Sequence, residues 1–280
     1  SRPSLNISFT EQDVQKAKAI LPWIQQQKGF SCSWIEYPEL MDIERRLSEK
    51  ILGALYIKGT ADVDPYRFTV ALAQAAENMG AVIQHGRVVG VNLKRGRAVG
   101  VLLENGEIPC GGVVLAMGPW SGEASSWLGI PIEVAPLKGQ IIRLRVPGAP
   151  FRHSIGWQGN YATTKPDGLL WAGTTEEEEG FDESPTRQGR DSIMTSLLKM
   201  IPFLDDAQLV RHTACLRPLS QDHLPVLGAV PGCEGVYLST GAGRQGILLG
   251  PAMGHIAADL ATGVTSNIPI ELFSPGRFTV

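Results

Sequence analysis

Residues 235–262 carry the pattern that most restricts how this chain can fold. Gly235-Val-Tyr-Leu-Ser-Thr240 reads as a short strand, Gly241-Ala-Gly243-Arg-Gln-Gly246 spells G-x-G-x-x-G, and Ile247 to Thr262 reads as a helix. A glycine-rich turn between a strand and a helix is the context in which that spelling suggests dinucleotide binding. The complete fingerprint also needs a second parallel strand and an acid about 20 positions on, which holds the ribose. The sequence given ends at residue 280, and the carboxylate near that distance is Glu271, in a segment with Pro269 and Pro275. The turn therefore does not read as the site of a whole dinucleotide. What it keeps is local: glycines allow close backbone approach, and the N–H groups of a helix start attract negative charge. An anionic or electron-rich group is expected there.

A chain of 280 residues with 43% hydrophobic content suffices for one large or two ordinary globular domains. The formal charge of −3 and pI near 6.0 give no electrostatic case for nucleic acid or an anionic membrane. No apolar run approaches the roughly 18 residues of a membrane span. A small molecule is the expected partner. Ser1-Arg-Pro-Ser-Leu-Asn lacks the charged and apolar regions of a secretory signal, as a processed start also would, and a cytoplasmic location is the expectation. Cys32, Cys110, Cys215 and Cys233 show no C-x-x-C spacing, so they suggest scattered core thiols and neither a metal site nor a disulfide framework.

Along the chain, Glu11 to Lys28 places Val14, Ala17, Leu21 and Ile24 on one helical face behind a Thr10/Asp13 capping pair, with Pro22 bending or shortening the helix. Asp64 and Pro65 open a second helix whose buried stripe is expected to be Phe68, Leu72, Ala75 and Met79, closed by Gly80. Short strands are expected at Ala81–Ile83, Val88–Leu93, Ala98–Leu103 and Val113–Met117, with turns at Lys94-Arg-Gly96 and Glu104-Asn-Gly106. From 129 to 234 the pattern turns to antiparallel sheet, with strands at Gln140–Arg145, Asn160–Thr164 and Leu169–Ala172 and one helix from Arg187 to Met200. The acids Glu176 to Glu179 read as a solvated turn. The expected class is α/β (α+β). An α/β layer at 62–128 resumes at 235–264, a mostly antiparallel second domain takes 1–61 and 129–234, and 265–280 is a C-terminal tail.

Several separated motifs then coincide. They are Val63-Asp64-Pro65, Gly80-Ala-Val-Ile followed by Val88, Val113-Val-Leu-Ala-Met-Gly118-Pro-Trp120-Ser, Pro136-Leu-Lys-Gly139-Gln140, Leu216-Arg217-Pro218 with Asp222, Leu224-Pro225-Val-Leu-Gly228, and Gly241 to Gly254. In this order and spacing the chain resembles, over nearly its whole length, FAD-dependent oxidoreductases of the D-amino acid oxidase superfamily, especially the glycine oxidase and sarcosine oxidase branch. The resemblance implies a Rossmann-like FAD-binding domain, here partial, and an antiparallel-sheet substrate domain. Members of that family begin with a strand, a G-x-G-x-x-G turn, a helix and a ribose-binding acid within about 30 residues, and none of this precedes Ser1. The expectation is a fragment without that portion, or a chain whose partner subunit supplies it. The fragment is preferred, because a cut there exposes strand edges and apolar surface.

The resemblance also assigns residues. Arg217 matches the arginine that grips the amino acid carboxylate; a structural ion pair is the alternative. Tyr161 matches a tyrosine that closes the substrate pocket, and Arg244 stands beside the flavin loop, contacting flavin, substrate or solvent. Gly243, Arg244, Gln245, Gly246, Ile247 and Leu248 would face the flavin ring, with backbone N–H groups stabilising the charge of the reduced ring. Val88, Ala116, Gly118 and Trp120 match positions flanking the adenine and ribitol regions. Cys215 stands where sarcosine oxidase-like members attach flavin through a thioether; a buried inert thiol is the alternative reading. Trp171 stands near the place of a lysine that assists reaction with oxygen in those members, which leaves oxidase and dehydrogenase both open. His223 and His255 read as structural or exposed. The implied reaction removes hydride from the carbon bearing the amine and gives an imine that water hydrolyses. The competing readings are one subunit of a heteromeric FAD-dependent amine dehydrogenase and a non-catalytic carboxylate-binding module.

Overall fold

The computed structural model describes residues 2–279. In chain order its first half contains β1 (Ser4–Ser8), α1 (Glu11–Gln25), β2 (Ser31–Glu36), α2 (Tyr37–Ile43), β3 (Gly53–Lys58), α3 (Pro65–Asn78), β4 (Val88–Lys94), β5 (Arg97–Leu103), β6 (Gly106–Pro109), β7 (Val113–Leu115) and the short α4 (Ala124–Leu128). The second half contains β8 (Val134–Arg145), β9 (Ser154–Trp157), β10 (Asn160–Thr164), β11 (Leu170–Gly173), α5 (Arg187–Met200), β12 (Gln208–Ser220), β13 (Val226–Ala229), β14 (Val236–Thr240) and α6 (Gly246–Thr262). The strands form one eight-stranded sheet, in the order β12-β8-β11-β10-β9-β1-β3-β2, and two three-stranded sheets, β13-β14-β7 and β4-β5-β6. This mixed architecture bears out the expected α/β class.

The chain divides into two compact units. One comprises residues 1–70, 139–176 and 183–215; the other comprises 71–138, 177–182 and 216–280. In the first unit β9 pairs with β1 in parallel, while β1/β3, β2/β3, β9/β10, β10/β11 and β8/β11 are antiparallel. Strand alternation sends Leu5, Ile142, Leu144, Ile155, Ala162, Leu170 and Ala172 to one face, where they join Ile193, Leu197 and Met200 of α5 in a single core. Each large aliphatic side chain so buried contributes about 1.5–3 kcal/mol. On the opposite face α1 covers the β3/β2 end, where Val14 is buried and Ala17, Leu21 and Ile24 pack on Cys32, Leu55 and Ile57.

Helix α1 starts as expected. Thr10 Oγ1 accepts from the Asp13 N–H at 3.1 Å, and Asp13 Oδ2 accepts from the Thr10 N–H at 3.3 Å. Asp13 also accepts from Trp157 Nε1 at 3.3 Å and Gln158 Nε2 at 3.2 Å, so the cap fastens the helix to the β9–β10 turn. Pro22 lies inside the helix, which ends at Gln25, short of Lys28. Helix α5 spans the expected residues, with Thr186 accepting from the Gly189 N–H at its start. The β4-β5-β6 meander also forms, its first turn carried by Arg95 (φ 54°) and Gly96 (φ 77°), left-handed values that match the twist of a tight hairpin.

Four expectations are corrected. The apolar stripe of α3 is not buried: Leu72 is 53% and Met79 88% exposed, because no described element packs on that side of the helix. Ala81–Ile83 is not a strand, since no described strand pairs with it and Val82 is 82% exposed. The acidic run is exposed at Glu176, Glu178 and Glu179 as expected but not at Glu177, which exchanges two backbone hydrogen bonds with Lys138 and whose carboxylate lies 4.0 Å from the Lys138 ammonium. Among the cysteines, Cys32 and Cys233 are buried and Cys215 is exposed. Strands β1 and β2 were not anticipated.

Burial pushes the Asp13 carboxyl up, but its hydrogen bonds from Gln158, Trp157, Phe9 and Thr10 outweigh burial and hold it at about 2. A carboxyl depressed on folding stabilises the protein above its unfolded pKa and loses that contribution as pH falls toward the folded value. Asp13→Ala is therefore expected to cost about 1–2 kcal/mol near neutral pH. In denaturant titrations at a series of pH values, the gap to wild type should narrow between about pH 4 and pH 2; a gap constant across that interval would remove the carboxylate as its source.

Candidate functional site

The glycine turn sits at the end of a strand held on both sides. β14 pairs in parallel with β7, Val236 opposite Val113 and Leu238 opposite Leu115, and antiparallel with β13, Thr240 opposite Val226. Gly241 follows with φ 77°, and a Cβ there would lie 3.1 Å from the Val226 side chain, so both the backbone and the space require glycine. Gly243 has φ 51° and opens a 3₁₀ turn through Gln245.

Helix α6 then begins at Gly246 with no side-chain cap from Gln245. Ile247 and Leu248 are exposed, and nothing lies within 4 Å of where a Gly246 Cβ would be. The other end is closed: Gly263 is left-handed, its N–H bonding to the carbonyls of the last turn, and the Val264 N–H reaches the Asp259 carbonyl at 2.8 Å. Met253, Ile256 and Ala257 bury the helix against Leu227. The result is a 17-residue helix anchored along its body with no side-chain cap on its first-turn donors.

Neighbouring segments of the same unit are tied to this turn. Ser121 Oγ and Thr240 Oγ1 lie 2.8 Å apart and approach the Gly118 carbonyl at 2.7 and 3.2 Å, which fixes the turn after β7 beside the end of β14. Ala116, Gly118 and Trp120 all belong to that turn region. Trp120 is 46% exposed and stacks on Phe181, with centroids 5.9 Å apart and an interplanar angle of 19°. A bridge pairs Leu219 with Ala242 inside the glycine turn. Arg217, half-buried, is two residues before Leu219 on the same strand face, about 7 Å along it. Arg244 is exposed in the 3₁₀ turn itself.

The remaining expected site residues lie elsewhere. Val88 opens β4 and borders an apolar cavity of about 290 Å³ with Val101, Leu103, Ile108 and Val113. Tyr161, half-buried on β10, stands opposite Gly173, where an added Cβ would meet its ring at 3.5 Å. Trp171 pairs across strands with Thr163 and Arg143 and donates Nε1–H to Asp167 at 3.0 Å. Cys215 lies on β12 with its side chain exposed, contrary to the buried alternative.

Asp222 accepts from Arg277 Nε at 2.7 Å and Nη2 at 2.9 Å; that hydrogen bonding holds its carboxyl at about 2, too weak a base to take a proton near neutral pH. His255 is exposed 3.6 Å from Asp259, and His223 is exposed in a turn. Lys138 carried no expected role, yet it is 0% exposed and lies 3.1 Å from Asp182. Its partners are about 40 positions away in sequence, so no local pattern revealed them. Among the described residues no group of His, Cys, Asp and Glu is arranged for a metal, and no helix is long and apolar enough to cross a membrane.

Comparison with known proteins decides the family. Residues 2–260 match the model of the FAD dependent oxidoreductase family. The chain belongs to that family. It is 36% identical over 224 residues to a glycine oxidase from Pseudomonas aeruginosa, an overlap of 79% of this chain and 62% of that protein. It is 30% identical over 261 residues to a bifunctional protein ThiO/ThiG from Trichormus variabilis, covering 91% of this chain and 39% of that one. The crystal structure of glycine oxidase from Geobacillus kaustophilus superposes with a TM-score of 0.92 at 26% identity, over 99% of this chain and 75% of that chain. The chain thus spans less than two thirds of the length of the Pseudomonas relative.

The hydroxyl pair at Ser121 and Thr240 is fully enclosed, with relative exposures of 0% and 4%. Thr240→Val removes one partner and leaves Ser121 short of a bond inside the protein. A loss of about 1–3 kcal/mol in chemical denaturation is expected, with a smaller loss in the Ser121→Ala/Thr240→Val double variant than the two singles sum to.

Proposed function

We propose that the protein oxidises the C–N bond of a small amino acid or secondary-amine carboxylate, with FAD as its cofactor, and that it does so in the cytoplasm. The observation carrying this reading is the uncapped start of α6, joined through the Leu219–Ala242 bridge to the strand that holds Arg217. Family membership supports the cofactor, and the glycine oxidase relatives support the substrate class.

FAD, when bound, accepts the two electrons that leave the substrate as hydride. The residues present fit its electron-rich ring edge: Gly246 offers an approach without a side chain, the N–H groups of Gly246, Ile247 and Leu248 are donors, and Arg244 adds positive charge. Val88, Ala116, Gly118 and Trp120 are assigned to the nucleotide and ribitol portions. Residues 62–128 and 235–264 would then be the cofactor domain, and 1–61 and 129–234 the substrate domain.

Arg217 binds the substrate carboxylate through its planar guanidinium, which fixes the position of the carbon that loses hydride. Pro218 holds Arg217 extended. Tyr161 borders the substrate and excludes water. A neutral amine needs no protein base to give up hydride from its carbon, which agrees with the low basicity of Asp222 and the exposed positions of His223 and His255. The imine product meets water and yields the carbonyl compound and the free amine.

The apolar side chains exposed at Leu72, Met79 and Val82 are the surface on which we place the rest of the cofactor-binding fold, carried by the same polypeptide or by a partner subunit. Purification of the native protein separates these two arrangements: a stoichiometric flavoprotein partner marks the second.

The whole protein is expected to show flavin absorbance and to reduce oxygen or a dye with glycine, sarcosine or a related amine. Arg217→Met should lower kcat/KM by about 100-fold, mostly through KM, as expected for loss of a charge-assisted bidentate pair. Tight carboxylate binding with no flavin absorbance under any condition and no turnover of any amine would sink the reading and favour a binding module. Because Cys215 is exposed, denaturing mass spectrometry also gives a clear result: a protein mass raised by one flavin marks a thioether, abolished in Cys215→Ala, and a fully released flavin eliminates it.

A further inference from the structure

On the face of the first unit's sheet that turns away from the α5 core, three strands meet around one point. Strands β8, β11 and β10 are in register there as Ile141–Gly173–Tyr161. Their neighbours Ile142, Ala172 and Ala162 fill the core under α5, so alternation sends the side chains of Ile141 and Tyr161 to the opposite face, where both residues are half-buried. Gly173, the last residue of β11, lies between them and brings no side chain. Its φ is not left-handed, so what glycine supplies at this position is space.

That space is filled from one side and bounded on the other. The point that a Gly173 Cβ would occupy is 2.8 Å from Ile141 Cγ2, 3.3 Å from the Gln140 carbonyl oxygen and 3.5 Å from Tyr161 Cε1. The first distance is closer than two carbons pack, so the Ile141 methyl already takes the place of the missing side chain; the last is an ordinary van der Waals separation. Methyl and ring edge therefore converge over the glycine backbone. Ile141 is β-branched and stiff at χ1, and Gln140 and Ile142 on either side of it are fully enclosed, so the methyl is a fixed stop. A ring leaning on that stop is kept from settling onto the Gly173 backbone, and the height of a ring at the wall of a small-molecule site decides which substituents fit beside it.

We propose that Ile141 is a positioning residue for Tyr161: its Cγ2 methyl, reaching across Gly173, props the ring toward the substrate and so limits the bulk of the group carried on the substrate nitrogen. This assignment rests on Tyr161 bordering the substrate. Removing the methyl lets the ring drop, and the volume it leaves is added to the substrate side. A methyl placed on Gly173 in the same variant restores the prop from the neighbouring strand, because that carbon would stand 3.5 Å from Tyr161 Cε1 with the Ile141 overlap gone.

Two measurements on the FAD-loaded whole protein test it. In the first, the ratio of kcat/KM for sarcosine to that for N-benzylglycine should fall by about tenfold in Ile141→Ala, mostly because KM for the bulkier amine drops. Gly173→Ala alone should lower both values, and Ile141→Ala/Gly173→Ala should bring the ratio back to within about threefold of wild type, the non-additivity expected of two residues that share one space. Ile141→Val, which keeps the methyl, should stay near the wild-type ratio. If Ile141→Ala does not fold, Ile141→Leu, which takes the branch off Cβ and keeps the volume, carries the comparison. A merely structural role would lower both kcat/KM values by the same factor; an unchanged ratio overturns the positioning role and leaves the proposed reaction standing. The second measurement needs no turnover: calorimetric dissociation constants for methoxyacetate and benzyloxyacetate, in which an ether oxygen replaces the amine, should shift in the same ratio through the same variants. That shift with no amine oxidised keeps the positioning role and sinks the proposed reaction, whereas constants that change together in every variant, or no binding at all, overturn the positioning role.

Discussion

A helix that leaves its first N–H groups without partners is stable when the rest of it is held by something else, and α6 is built that way. Its C-terminal turn is closed by Gly263, its body is buried through Met253, Ile256 and Ala257, and its start is uncapped beside Gly246. The usual Ser, Thr, Asp or Asn cap would satisfy those donors internally. Gln245 does not. The arrangement directs the positive end of a 17-residue helix outward, and the position of the glycine turn, of Gly118 and of Leu219 is organised around that end.

Local chemistry was legible wherever one short segment decides its own structure. The Thr10/Asp13 box, the Thr186-capped helix from Arg187 to Met200, and the Lys94–Gly96 turn all formed as their residues indicated. In each, the competing states lack a hydrogen bond or a backbone conformation that the sequence supplies. The failures are equally physical. The α3 stripe has the spacing of a buried face, but spacing specifies only which side chains share a side and not what covers them. Leu72 and Met79 share a side and nothing among the described residues covers it. Ala81–Ile83 has strand composition without a strand beside it, and a strand is defined by its neighbour.

Side chains whose meaning depends on distant partners were the least legible. Lys138 stands next to Gly139 on a strand, yet it is fully enclosed, with its ammonium nitrogen 3.1 Å from Asp182 and 4.0 Å from Glu177. That pairing also explains why residues 177–182 group with the second unit although the chain on both sides belongs to the first. Two backbone bonds between Lys138 and Glu177 and one short ion pair hold the segment there, and Phe181 stacks on Trp120 as a consequence. Three acids of that run are exposed, as its composition indicates; Glu177 departs from the pattern beside the enclosed lysine.

The charged groups of the second unit divide by whether the fold consumes them. Asp222 gives both oxygens to Arg277 and also accepts from the Leu224 N–H, so its charge is locked and its proton affinity is low. A carboxylate in that condition stabilises a turn and does no proton transfer near neutral pH. The donors at the α6 start are the opposite case, since neither Gln245 nor a side chain from elsewhere caps them. Chemistry that removes hydride from a carbon needs charge placed where electrons arrive more than it needs a base where they leave. The distribution here, with Asp222 committed to Arg277 and no side-chain cap on the start of α6, is the one the proposed reaction calls for.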